Sequence, residues 1–202
     1  MTPARRRSTS GRPGSVLLVL QYRDRLSLGE NRARLGFAAF HWSIAVRYDE
    51  YHRFDVTDGI VQDKFGNDIN PERNWLYRHQ VSTTLTEITR YLGAIKIGQV
   101  SRKEQPQDLE LLFKNIPLPI KEADPQQNCV SWTRDAVSAL QTANHCAKMN
   151  VDPLMDYALH YADQQIQCPP LVEPETPMFP PTESKSIVRS WIERVQSMGK
   201  SK

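Results

Sequence analysis

The apolar residues of this chain follow two regimes. As far as about Val100 they come in short runs or alternate with polar residues, and beyond Gln105 they recur every three or four positions. Val16–Leu20 is an unbroken aliphatic stretch that continues to Tyr22 and closes at Arg23-Asp24-Arg25, which reads as a strand. Phe37–Arg47 and Tyr51–Val56 flank the polar Tyr48-Asp49-Glu50 and read as a hairpin. Asp63–Arg73, dense in Asn, Asp, Gly and Pro, is expected as a loop. Asn74–His79 and Ala94–Val100 complete the strand candidates, with a short helix expected near Thr84–Tyr91. Leucines and Phe113 at helical spacing predict a helix over Pro106–Asn115, stopped by Pro117 and Pro119. Trp132, Ala136, Leu140, Ala143 and Ala147 place one apolar face on a helix over Val130–Lys148. Asp152-Pro153 opens another, running to about Gln167.

Both ends differ from this middle. Residues 1–14 are basic and rich in Ser, Gly and Pro, with almost nothing to bury, so a disordered tail is expected. Residues 168–183 are too rich in proline for regular structure and read as an extended linker. Ser184 then caps an amphipathic helix over 184–202, whose stripe from Ile187 to Val195 must be covered by this domain or by a protein partner. The expected architecture is α+β: a small antiparallel sheet packed against helices within residues 15–167.

Composition narrows the choice of chemistry. A chain of 202 residues suits one domain with appendages and needs no covalent staple. Its three cysteines, Cys129, Cys146 and Cys168, are odd in number and widely spaced, which suggests a reducing, cytoplasmic setting rather than a disulfide framework. No apolar run approaches the roughly 18–20 residues that cross a bilayer. The net charge of +3 comes largely from the termini and gives no basis for nucleic-acid binding. His145, Cys146, His160 and Cys168 match no common zinc spacing, and no glycine-rich phosphate loop is present, so no metal or cofactor is expected.

The informative segment is Asn128-Cys129-Val130-Ser131-Trp132. Asn128 is a good N-cap, which starts a helix at Cys129. A thiol in a first helical turn feels the positive end of the helix dipole, and that environment favours the nucleophilic thiolate. The plainer reading is a small buried residue at a helix start. In Phe40-His41-Trp42-Ser43-Ile44-Ala45-Val46, alternation sends the bulky residues to one face and His41 to the other, among small neighbours. A cysteine nucleophile needs such a base.

A His-Trp strand, a hairpin and a later Asn-Cys-x-x-aromatic helix start resemble the permuted NlpC-type, papain-like fold. The nearest pattern is that of the lecithin:retinol acyltransferase-like proteins, of which this chain would be a small-protein branch. The likeness covers about residues 16–148, with the histidine preceding the cysteine. It implies Cys129 as nucleophile and His41 as base. The family's Asn-Cys-Glu-His-Phe is Asn-Cys-Val-Ser-Trp here, and without a membrane-anchoring helix a phospholipid substrate does not carry over. A second histidine on the next strand of related acyltransferases points to His52 as third member. Hairpin parity points instead to Asp55, since setting Phe54 and Val56 beside Trp42 and Ile44 turns Asp55 to the face of His41. A shift by one residue would reverse that choice. The expected activity is a cysteine-dependent hydrolase or acyltransferase acting on an ester, thioester or amide. The alternative is a non-catalytic binding module that keeps the fold.

Overall fold

A computed structural model describes residues 13–167, apart from positions 89 and 102, together with 176–179. Most of the expected N-terminal tail, Cys168, most of the proline-rich linker and the final helix lie outside the described residues.

The elements are β1 (Gly14–Tyr22), α1 (Gly29–Leu35), β2 (Phe40–Arg47), β3 (Tyr51–Thr57), β4 (Leu76–Ser82), β5 (Tyr91–Val100), α2 (Pro106–Lys114), α3 (Cys129–Thr142) and α4 (Val151–Gln167). The strands form a five-stranded sheet in the order β4-β3-β2-β1-β5, antiparallel at every junction. The chain is thus α+β with a small antiparallel sheet and helices against it. β1 is an interior strand, paired on both sides by β2 and β5 and covered on both faces, which explains its unbroken apolar run. Val16, Leu18 and Leu20 enter the main core, and Leu17 and Val19 enter a second cluster with Ala45, Tyr51, Leu85, Ile88 and Ala94.

The main core lies between the sheet and the helices of the second half. Phe40, Trp42, Ile44 and Val46 of β2 and Phe54 and Val56 of β3 meet Leu109 and Phe113 of α2 and Trp132, Ala136, Val137 and Leu140 of α3. Leu154, Met155, Ala158 and Ala162 of α4 close it over β1 and β5. The outer edge of β5 is covered in two places. The Gln99 amide donates to the His145 carbonyl at 2.8 Å, and Lys96 pairs with the 177–179 segment through bonds of 2.8 and 2.9 Å. Gly98 permits the first contact, since a Cβ there would sit 2.1 Å from the His145 oxygen.

Three local expectations need correction. The helix expected over Val130–Lys148 ends at Thr142. Asn144 takes a left-handed φ of 60°, and the Asn144 and His145 amides turn back to the Gln141 and Leu140 carbonyls at 3.1 and 2.8 Å. That closure is a Schellman motif, with asparagine in the position where glycine is commonest, and it takes Ala147 out of the apolar face. Among the described residues of 84–91 no helix forms. There the Thr84 hydroxyl accepts the Thr86 amide at 3.0 Å, and such local side-chain bonds compete with helical ones. The third correction is α1, an extra helix between β1 and β2 that carries no fully buried residue and hence no apolar periodicity to betray it.

Candidate functional site

α3 begins at the start of β2, and its N-terminus is tightly capped. The Asn128 side chain accepts the Val130 amide at 2.8 Å, and the Asn128 amide donates to Ser131 Oγ at 3.0 Å. This cap delivers Cys129 to the strand. The thiol is buried, with Sγ 4.0 Å from the Phe40 carbonyl oxygen, and Trp132, one turn on, is anchored in the same core.

The His41 imidazole is near enough to that sulfur for each group to shift the other's ionisation. Its Nε2–H donates to Asp55 Oδ2 at 2.9 Å. The β2–β3 register pairs Ile44 with Phe54 and Val46 with His52, so Asp55 shares the face of His41. His52 sits on the other face. It meets His79 of β4 at 3.1 Å, with stacked rings, and His79 reaches Glu110 of α2 at 3.4 Å. The arrangement brings together Cys129, His41 and Asp55 and leaves His52 out, in a separate cluster at the edge of the core.

Sequence reasoning missed the residues that hold Asp55. Its carboxylate, 1% exposed, accepts Arg53 Nη1 at 3.0 Å and both Arg78 Nε and Nη2 at 2.8 and 2.7 Å. Arg53 is held in turn by Gln21 of β1 at 2.6 Å and by Gln80 of β4. Gln21 lies directly across from His41 on the neighbouring strand. The period-two pattern already places Arg53 beside Asp55, whereas Arg78 and Gln80 depend on the β4 register, which follows a long loop.

These contacts set the charge states. Burial alone would lower the His41 pKa, but hydrogen bonds to Asp55 and Cys129 and their negative charges push it up to about 9. Burial opposes a charged Cys129, yet the His41 hydrogen bond and charge, the Trp42 amide and the Arg23 guanidinium bring the thiol below its ordinary value. For Asp55 burial is again the opposing influence, outweighed by His41 and Arg78, which hold the carboxyl well below the usual carboxylate range. The shifts favour an imidazolium beside a thiol that ionises more readily than an ordinary cysteine, with an ionised carboxylate behind the ring.

Residues 27–168 match a family of unknown function, DUF6914. The chain belongs to that family. The DUF6914 match encloses His41, Asp55 and Cys129, while Gln21 and Arg23 precede it. No curated protein and no solved structure matches the chain. Among the described residues no cluster of histidine, cysteine and carboxylate groups suits a metal ion, and no helix is long and apolar enough to cross a membrane.

Proposed function

We propose that this DUF6914 chain is a thiol hydrolase or acyltransferase working through an acyl-enzyme on Cys129. The observation that carries the reading is the His41–Asp55 bond on β2 and β3, set where the N-terminus of α3 brings the Cys129 sulfur against the start of β2. A cysteine on a helix start, packed against a strand that bears its histidine, also supports the kinship with permuted papain-like folds.

The chemistry runs in two balanced halves. The Cys129 thiolate attacks the carbonyl carbon of an ester, thioester or amide, forming a C–S bond and moving the carbonyl electrons onto oxygen. The Cys129 amide, the first of α3 and not one that the Asn128 side chain caps, is the donor offered to that oxyanion. As the intermediate collapses, the bond to the leaving group breaks and the His41 imidazolium gives it a proton. Water or another acceptor then loses a proton to neutral His41 and attacks the acyl carbon. The product departs, and the thiolate–imidazolium pair is restored. Asp55 holds the ring orientation and stabilises its charge throughout.

A second reading is favoured by the burial of Cys129, which is 3% exposed: a binding module in which the pair is structural. One experiment separates the two. Incubation with 4-nitrophenyl acetate or an acetyl thioester, followed by intact-mass and peptide analysis, should show one acetyl group on Cys129. The adduct should be absent in Cys129→Ser and should decay with release of acetate. An unmodified Cys129 after complete exposure to both donors would leave the binding module as the better description.

A further inference from the structure

Arg23 is the group beside the site that the chemistry above leaves unused. It follows β1 directly and is held by a set of short bonds. Its amide donates to Ser27 Oγ at 2.7 Å, and Ser27 Oγ donates to the Ala39 carbonyl at 2.6 Å. The Arg23 guanidinium donates through Nη1 to the Ala38 carbonyl at 2.7 Å. Those two carbonyls immediately precede Phe40, whose own carbonyl faces the Cys129 sulfur. The guanidinium is therefore fixed, from the connection between β1 and β2, on a carbonyl two residues before the one that meets the Cys129 sulfur.

Its charge is not neutralised there. Arg53 and Arg78 both lie against Asp55, and the adjacent Asp24 is committed to Arg90 at 2.7 Å. Among the described residues no carboxylate pairs with Arg23, although the residue is half-buried. A half-buried guanidinium with one edge on a backbone oxygen and no counter-ion suits a planar anion, which its remaining N–H groups can grip.

We infer that the acyl donor carries a carboxylate that Arg23 receives beside the Cys129 thiol. The inference rests on the thiol chemistry proposed above and adds the substrate class to it. A single guanidinium balances one negative charge, which fits a carboxylate better than a phosphate dianion.

Iodoacetate and iodoacetamide provide the test, since they alkylate by the same displacement, are nearly equal in size and differ in charge. Restricted access to the buried thiol slows both alike, so the ratio of their rates at Cys129 isolates the effect of charge. The measurement is made on the full chain, with peptide mapping of Cys129. Arg23→Gln should lower the iodoacetate-to-iodoacetamide ratio about tenfold, equivalent to about 1.4 kcal/mol, and Arg23→Lys should keep most of it. The residual preference in Arg23→Gln reports the His41 imidazolium. An unchanged ratio in Arg23→Gln, with both rates equal to wild type or slowed together, would overturn the carboxylate inference while leaving the thiolate reading intact. A Cys129 no more reactive toward iodoacetamide than in the unfolded chain would overturn the thiolate reading, and this inference with it.

Discussion

Cys129 opens α3 and Cys146 lies four residues beyond its last residue, and both are buried, free thiols. Each sulfur sits against one backbone carbonyl, Phe40 at 4.0 Å and Val137 at 3.8 Å. Their surroundings nevertheless drive them apart. Burial pushes Cys146 up to about 11, with nothing to oppose it. At Cys129 the same influence is outweighed by His41, the Trp42 amide and Arg23. Burial by itself therefore makes a thiol inert, and reactivity requires a positive partner aimed at the sulfur. The end of the helix matters too: amide donors surround the first cysteine, whereas the second follows the carbonyl end.

Removing that partner should collapse the difference. His41→Ala is expected to slow alkylation of Cys129 by iodoacetamide at about pH 6 by roughly two to four orders of magnitude, the usual contribution of a positioned acid–base group. Cys146 should not respond. Peptide-resolved mass spectrometry after timed alkylation gives both rates in one sample. Equal rates at the two cysteines in the wild-type chain would show that the His41 contact does not ionise the thiol.

The pairing of His41 with Asp55 is legible in the sequence because two short strands joined by a tight turn leave few registers, and only one keeps Phe54 and Val56 in the core. The capped start of α3 is legible for a similar reason, since Asn128 acts within one turn of itself. Arg78 and Gln80 are not legible. Their strand returns after the Asp63–Arg73 loop, so no local rule sets its register against β3. Arg23 is hidden for another reason. It lies on a connection with no periodicity, and its place is set by its bond to the Ala38 carbonyl and by Ser27, which accepts its amide and donates to the Ala39 carbonyl. The end of α3 is misjudged from sequence because alanines can continue an apolar stripe on paper, while Asn144 closes the helix by backbone geometry. Local chemistry thus reveals the reacting groups, and long-range pairing supplies the residues that hold them.

The next test weakens the partner without removing it. Asp55→Asn leaves Arg53 and Arg78 without their anion, and breaking a buried pair of this kind costs about 3 kcal/mol or more. It also withdraws the negative charge that helps keep His41 protonated, so Cys129 should shift toward the behaviour of Cys146. The pH dependence has a defined sign. A carboxyl whose folded pKa is depressed adds stability that is complete above its unfolded value and is lost as the pH falls toward the folded one. Urea unfolding of the wild type should therefore weaken steeply below about pH 4, and Asp55→Asn should start lower and fall less. His41 has the opposite sense. Its raised pKa adds stability below about pH 6.5 that is lost as the pH rises through about 9. Parallel acid limbs for wild type and Asp55→Asn would mean that Asp55 is not the ionised anchor of the site.

The smallest effect comes from the cap, and it separates stability from reactivity. Asn128→Ala removes the acceptor of the Val130 amide and should cost about 1 kcal/mol, or about 2–4 °C in Tm for a chain of this size. Cys129 should alkylate more slowly as the first turn of α3 loosens, while Cys146, beyond the far end, should be unchanged. Asn128→Asp discriminates further. Aspartate is as good a cap as asparagine, so the Tm should hold. Its added negative charge beside Cys129 disfavours a neighbouring thiolate, so alkylation should slow although the helix is intact. A thermal scan and a rate measurement on the two variants thus distinguish two origins for the lowered thiol. If Asn128→Asp retains both Tm and alkylation rate, local charge does not govern Cys129, and the contrast with Cys146 must come from His41 geometry alone.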